Sequence, residues 1–201
     1  FSLWVGPISF KTLCVPYTAT YTTDFDSDVD GQVAACWEQY NNYNTSAYAR
    51  VEQLPSWNST QPYSGANVLE IYSYFGFSAG DTLMAISPEF SDLTASDKQI
   101  RFYAAASDAS NELYIGTTSD QSGTAAITLI DTISFATTNT WQEVIVALDA
   151  NNGYNGTDDH VVLMHSLGGT FDDIYIDDFN YELIPPCPKI TGFNFTGVGP
   201  S

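Results

Sequence analysis

Basic side chains are almost missing from this sequence. Lys11, Arg50, Lys98, Arg101 and Lys189 stand against 24 acids, and the formal net charge is −19. A surface of that sign repels DNA, RNA and anionic lipid, which excludes nucleic-acid binding and membrane-surface roles. Long apolar runs are missing as well. No stretch approaches the roughly 20 apolar residues that span a bilayer, so no membrane insertion is expected. Cysteine is scarce. Cys14, Cys36 and Cys187 show neither the CxxC nor the Cys/His spacing of a zinc site. They leave two readings open: one disulfide plus an odd thiol, as in a secreted chain, or three reduced, buried thiols. Neither an initiator Met nor a signal peptide opens the sequence. Phe1-Ser2-Leu3-Trp4 reads as the middle of a strand, so a piece of a longer chain is expected, with its targeting signals elsewhere.

Catalytic signatures are missing too. There is no G-x-S-x-G, no H-E-x-x-H and no Gly-rich phosphate loop. No strand carries the E-x-D-x-x-E pattern of sandwich glucanases. The histidines, His160 and His165, lie five apart on one strand candidate, and alternation aims them at opposite faces. The expectation is therefore a chain that is not an enzyme.

What the sequence does hold is strand chemistry. Apolar residues make up 44%, with 13 Tyr, 12 Phe and 4 Trp, enough for a full core. Segments that alternate or run apolar, bounded by Gly, Asn, Asp or Ser, predict strands at 67–74, 82–90, 98–107, 112–118, 126–134, 141–148, 160–167 and 173–183. Shorter candidates lie at 20–25, 36–40 and 47–52. No stretch holds a period of 3.6 over three turns. Ten or eleven strands without intervening helices predict an all-β fold, an antiparallel β-sandwich of jelly-roll type. Val144, Val146 and Leu148 should share one buried face. Phe25, Phe179 and Tyr181 should meet where the first and last strands pair. Ile184-Pro185-Pro186-Cys187-Pro188 is a proline-stiffened linker. The expected division is 1–14 as the end of a preceding unit, 15–184 as the main domain, and 185–201 as linker and the start of a following unit.

Two local patterns point to ligands. Asp26-Ser27-Asp28-Val29-Asp30-Gly31 opens like a calcium loop, with carboxylates on alternate residues and Gly at the turn. The twelfth position is Trp37 where a bidentate Glu is needed, and Glu38 misses by one. An EF-hand is therefore not expected, and a looser loop site stays open. Tyr40, Tyr43, Tyr48, Trp57 and Tyr63 are interleaved with Asn41, Asn42, Asn44 and Asn58. Aromatic faces plus amide groups suit a carbohydrate platform, with Tyr40, Tyr43, Trp57 and Tyr63 as the candidates. The competing reading is that these rings pack the core or its rim.

Several segments, taken in order, resemble a known family. Pro16-Tyr17, Thr23-Asp24-Phe25-Asp26-Ser27 and Ala35-Cys36-Trp37 are similar to the start of MAM-like domains of bacterial surface adhesins. Tyr63-Ser64-Gly65-Ala66-Asn67-Val68-Leu69, Ile86-Ser87-Pro88-Glu89-Phe90 and Ile174-Tyr175-Ile176-Asp177-Asp178-Phe179 continue the likeness. Residues 14–183 thus resemble the cleaved-adhesin and "choice-of-anchor" jelly rolls of Bacteroidota outer-surface proteins. On either side, 4–12 and 187–193 resemble the last and first strands of fibronectin type III repeats.

The resemblance implies a MAM-like jelly roll with a Cys14–Cys36 disulfide, leaving Cys187 to pair outside the domain or stay free. It also implies a structural calcium as cofactor. Asp26, with Asp24 nearby, would meet Asp177 or Asp178 of the closing strand, and carbonyls of 64–67 would complete the shell. It implies an extracellular adhesion or ligand-binding module of a cell-surface or secreted protein. Its partners would be a surface glycan or protein ligand and the neighbouring domains of the same chain. The alternative is a carbohydrate-binding module of a secreted polysaccharide-degrading enzyme.

Overall fold

The structure is a computed structural model that describes residues 14–186. The expected flanking pieces and Cys187 lie outside the described residues or at their margin. Eleven strands run through the described chain: β1 (Tyr21–Thr23), β2 (Glu38–Asn41), β3 (Tyr48–Gln53), β4 (Asn67–Tyr72), β5 (Leu83–Ile86), β6 (Lys98–Ala106), β7 (Glu112–Thr118), β8 (Thr128–Ser134), β9 (Gln142–Leu148), β10 (His160–His165) and β11 (Asp173–Leu183). Each falls on a segment predicted from alternation. Two single 3-10 turns, Leu93–Ala95 and Ala150–Asn152, were not expected. The second closes the Asn-rich loop, where the Asp149 side chain accepts the N–H groups of Asn151 and Asn152.

The strands form two antiparallel sheets packed face to face, as predicted. One has the order β3-β4-β11-β6-β9, with β1 also paired to β11; the other has the order β2-β5-β10-β7-β8. Alternation explains the core. Ala49 and Val51 of β3, Leu69 and Ile71 of β4, and Ile100 and Phe102 of β6 point between the sheets, with Val144, Val146 and Leu148 of β9. Leu83 and Ala85 of β5, Leu113 and Ile115 of β7, and Val161 and Leu163 of β10 meet them from the other side. His160 and His165 do take opposite faces of β10, and both are buried.

The predicted strand 82–90 is cut short at Ile86. Pro88 has no N–H to give a ladder, and the chain leaves the sheet. Phe90 instead bridges to Tyr17, and its ring stacks on Tyr181 at 3.9 Å. The closing strand is regular in length but not in register. Its pairing with β6 shifts between Asp177 and Asn180, with Asp178 at a φ of 50°. That bulge adds one residue, so the inward set changes from Ile174 and Ile176 to Phe179 and Tyr181.

The first and last strands pair as expected, with Tyr21 opposite Tyr181 and Thr23 opposite Phe179. Phe25 and Phe179 meet through Trp37, whose ring lies edge-on to both at 6.0 and 5.1 Å. Cys14 and Cys36 are joined, enclosing β1 in a loop of sequence separation 22. Closing a loop of that size restricts the unfolded chain and stabilises by about 3 kcal/mol.

Phe179 sets the largest single test of this packing. It is fully buried and touches Trp37, Phe102 and Tyr21. Phe179→Ala is expected to lower unfolding stability by about 3–5 kcal/mol in urea titration, as for other buried aromatics. A loss below about 1 kcal/mol would contradict the packing described.

Candidate functional site

The acids predicted to hold calcium converge on one short segment, 64–67. Asp26 Oδ1 accepts the N–H groups of Ala66 at 2.7 Å and Asn67 at 2.9 Å. From the other side, Ser64 N–H donates to Asp177 Oδ2 at 3.0 Å and Ser64 Oγ donates to Asp178 Oδ1 at 2.8 Å. Gly65 makes the approach possible: its φ is +55°, and a Cβ there would lie 1.6 Å from Asp26 Oδ2. Asp177 is fully buried, and burial pushes its carboxyl up to about 6 against the pull of the Ser64 and Asp178 N–H groups. Asp24 stands beside this junction and accepts the N–H of Asp26.

The alternating acids do not converge as a calcium loop would. Asp28 turns to the N–H of Ala35 and Asp30 to that of Gln53. Among the described residues, no three His, Cys, Asp or Glu side chains group closely enough to hold a metal. Asp26, on the turn after β1, and Asp177, within β11, supply carboxylate oxygens, the chemistry a hard cation takes. These carboxylates would need carbonyl oxygens to complete a shell.

The four predicted aromatic contacts are not brought together. Tyr40 lies on the outer face of the five-stranded sheet, packed beside Met84, Ile86 and Val162. Tyr43 is half-buried at the end of the sandwich, where its hydroxyl accepts the Tyr74 N–H at 3.0 Å. Tyr43 also lines a separate shallow pocket with Asn41, Asn42 and Asn44. Trp57 and Tyr63 share a strap, residues 54–66, that crosses the outer face of the six-stranded sheet. The strap is pinned along its length. Asn58 Nδ2 donates to the Tyr175 hydroxyl, Thr60 Oγ1 to Asn139 Oδ1, and Trp141 Nε1 to the Gln61 carbonyl. Tyr63 stacks on Tyr103 at 3.5 Å and is still 44% exposed. Trp57 is 83% exposed.

Between this strap and β3 lies an open groove of about 270 Å³, with Trp57, Asn58 and Pro55 on one side and Tyr48, Glu52 and Tyr72 on the other. Its floor is a pair of acids, Glu70 and Asp173, from the neighbouring strands β4 and β11. The two carboxyl groups lie close enough to act on each other electrostatically. Tyr48 donates its hydroxyl to Glu70 Oε2 at 3.0 Å, and Tyr175 donates to Asp173 Oδ2 at 2.9 Å. Burial first, then the charge of Asp173, push Glu70 up to about 8; burial raises Asp173 as well. Burial thus holds both carboxyl groups above the ordinary carboxylate range. Arg50, directly opposite Glu70 in the ladder, pairs with Glu52 instead and lies 3.8 Å above the Tyr48 ring.

Sequence reasoning missed Glu70, Asp173, Tyr72 and Tyr175. A signal was present: outward positions of β3, β4 and β11 carry Tyr48, Arg50, Glu52, Glu70, Tyr72, Asp173 and Tyr175, where a solvated face would carry smaller polar residues. Alternation marks that face, but it does not say that a strap walls one side of it.

The chain's fold is shared with solved adhesin modules. The K2 cleaved adhesin domain of Lys-gingipain superposes with a TM-score of 0.64 at 16% identity, covering 82% of this chain and 100% of that one. The K1 domain from Porphyromonas gingivalis W83 gives 0.61 at 16% identity, over 82% and 98%. The K3 domain from the same organism gives 0.55 at 19%, over 82% and 99%. The chain thus shares the jelly-roll β-sandwich fold of these domains, the fold that the resemblance implied. No family model matches it, and no curated protein does.

The acid pair makes stability depend on pH in a stated direction. Glu70 binds its proton more tightly folded than unfolded. Its contribution is therefore fully present below the ordinary carboxylate range and is lost as pH rises through about 8. Glu70→Gln should remove this loss. The variant should melt above the parent at pH 9 and lose that margin at pH 5. Melting profiles that stay parallel across this range would contradict the raised Glu70 carboxyl.

Proposed function

We propose that this chain is an extracellular adhesion module of a surface or secreted protein, and that it binds carbohydrate in the groove between the 54–66 strap and β3. The observation that carries this reading is Trp57. A tryptophan exposed to 83%, on a strap pinned at four points and beside a groove rich in hydroxyl, amide and carboxyl groups, offers a sugar a stacking face next to hydrogen-bond partners. The likeness to cleaved adhesin domains supports adhesion at the level of fold. Among the described residues, no helix is long and apolar enough to cross a membrane.

A glycan array probed with the chain should give defined carbohydrate hits. Trp57→Ala should weaken the best of them about five- to tenfold in calorimetry, the loss of one stacking face worth about 1 kcal/mol. Its melting temperature should not change, since the ring buries little. An empty array, or hits indifferent to Trp57, would remove this reading.

The proposal includes a structural calcium at the β1–β11 junction. Asp26 and Asp177 would serve as side-chain ligands, Asp24 and Asp178 would lie beside them, and carbonyl oxygens would fill the shell. The crowding of acids at two chain ends against so few bases supports it. A cation bound only by the folded state stabilises by mass action, by about 2.7 kcal/mol at a hundredfold excess over Kd. Melting should therefore rise with calcium and fall with a chelator. Equal melting temperatures, with no metal in elemental analysis, would remove the ion.

A further inference from the structure

The rings of the groove do not end at its rim. Tyr48 and Tyr72 face each other across β3 and β4 with centroids 5.1 Å apart, and Tyr72 meets Tyr74 edge-on at 6.2 Å. Tyr74 in turn touches Phe75 at 4.7 Å and Phe171 at 5.0 Å, and those two lie 6.0 Å from one another. Five rings therefore run without a break from the groove wall to the end of the sandwich.

The far end of this series is built rather than left over. Phe75 and Phe171 come from different loops, and each is 53% exposed. Ser73 clamps the loops together. Its N–H donates to the Asp172 carbonyl at 2.8 Å, and its Oγ accepts the Asp172 N–H at 3.1 Å. Phe171 sits at a φ of 63°, a left-handed conformation costly for a bulky side chain. Folding gains little from two half-exposed phenylalanines, one of them on a strained backbone, so packing does not account for the arrangement.

Taking the groove as the carbohydrate site just proposed, we infer that the ring series is one continuous binding track, with Phe75 and Phe171 as its distal stacking position. The ligand is then a chain of several sugar units and not a terminal mono- or disaccharide. Sugar rings present apolar C–H faces; the groove rings at one end and the half-exposed Phe75 and Phe171 at the other offer surfaces for successive units, with Tyr74, packed on the core, joining them. Continuity with the groove makes the same chain the occupant of the distal patch.

The test uses neutral β-1,4-linked oligosaccharides of glucose, xylose, galactose and mannose, each as disaccharide and hexasaccharide, in calorimetry against the whole chain. In the series that binds, the hexasaccharide should bind about tenfold tighter than the disaccharide, the gain from added stacking positions. Phe75→Ser combined with Phe171→Gly should abolish that advantage and leave the disaccharide affinity unchanged. Phe171→Gly alone, which relieves the left-handed backbone, should melt no lower than the parent and reduce the advantage in part. A hexasaccharide no tighter than its disaccharide, or an advantage that survives the double variant, would overturn the track while leaving the groove as a carbohydrate site. Absence of binding at every length would overturn both.

Discussion

The pairing of β11 with three other strands is the constraint on which the sandwich rests. It lies against β4 and β6 along its first half and against β6 and β1 along its second. The irregularity at Asp177 and Asp178 makes this possible, because it turns Phe179 and Tyr181 inward where unbroken alternation would turn them out. The bulge is held from outside the strand. Asp177 is buried where a carboxylate is expensive, and the N–H groups of Ser64 and Asp178 offset that cost. The 54–66 strap therefore does two things at once: its last residues fix the bulge, while its first residues wall the groove.

Much of this was open to reading in the sequence, for reasons that differ by element. The strands showed themselves because period-two alternation is a direct consequence of burying one face of a sheet. β9 is the clean case, with Val144, Val146 and Leu148 inward. The break at Asp177-Asp178 is also visible, since Ile174 and Ile176 are out of phase with Phe179 and Tyr181. The meeting of Asp26 with the 64–67 segment and Asp177 came from family resemblance, because no local pattern links residues so far apart in sequence. The groove was not legible. Trp57 was singled out, but grouped with Tyr40 and Tyr43, which are near it in sequence and serve other surfaces. Glu70 and Asp173 lie about a hundred positions apart. Only the β4–β11 register brings them together.

The scarcity of bases has a structural answer in the way the acids are used. Asp26, Asp28, Asp30, Asp108, Asp120 and Asp149 each accept backbone N–H groups in turns and loops. Backbone N–H groups first hold Asp108 below the usual carboxylate range, as the Ser122 side chain first does for Asp120. Oriented amide dipoles replace counter-charges, and the loops gain fixed shapes from side chains that would otherwise only repel one another. Among the described residues, ion pairs fall at a few positions, such as Arg101 with Glu182.

The loop closed by Cys14 and Cys36 also decides how the module would carry tension. Because Tyr21 lies opposite Tyr181, the chain enters β1 and leaves β11 side by side at one end of the sandwich. A pull that parts those two ends would peel the ladder one hydrogen bond at a time, the weakest way to load a pair of strands. The disulfide reroutes that pull. Force arriving at Cys14 crosses a covalent bond to Cys36 and is delivered next to Trp37, a ring buried between Phe25 and Phe179. β1 then lies inside a slack loop, off the line of force, and keeps its place in the sheet while its neighbours are stretched.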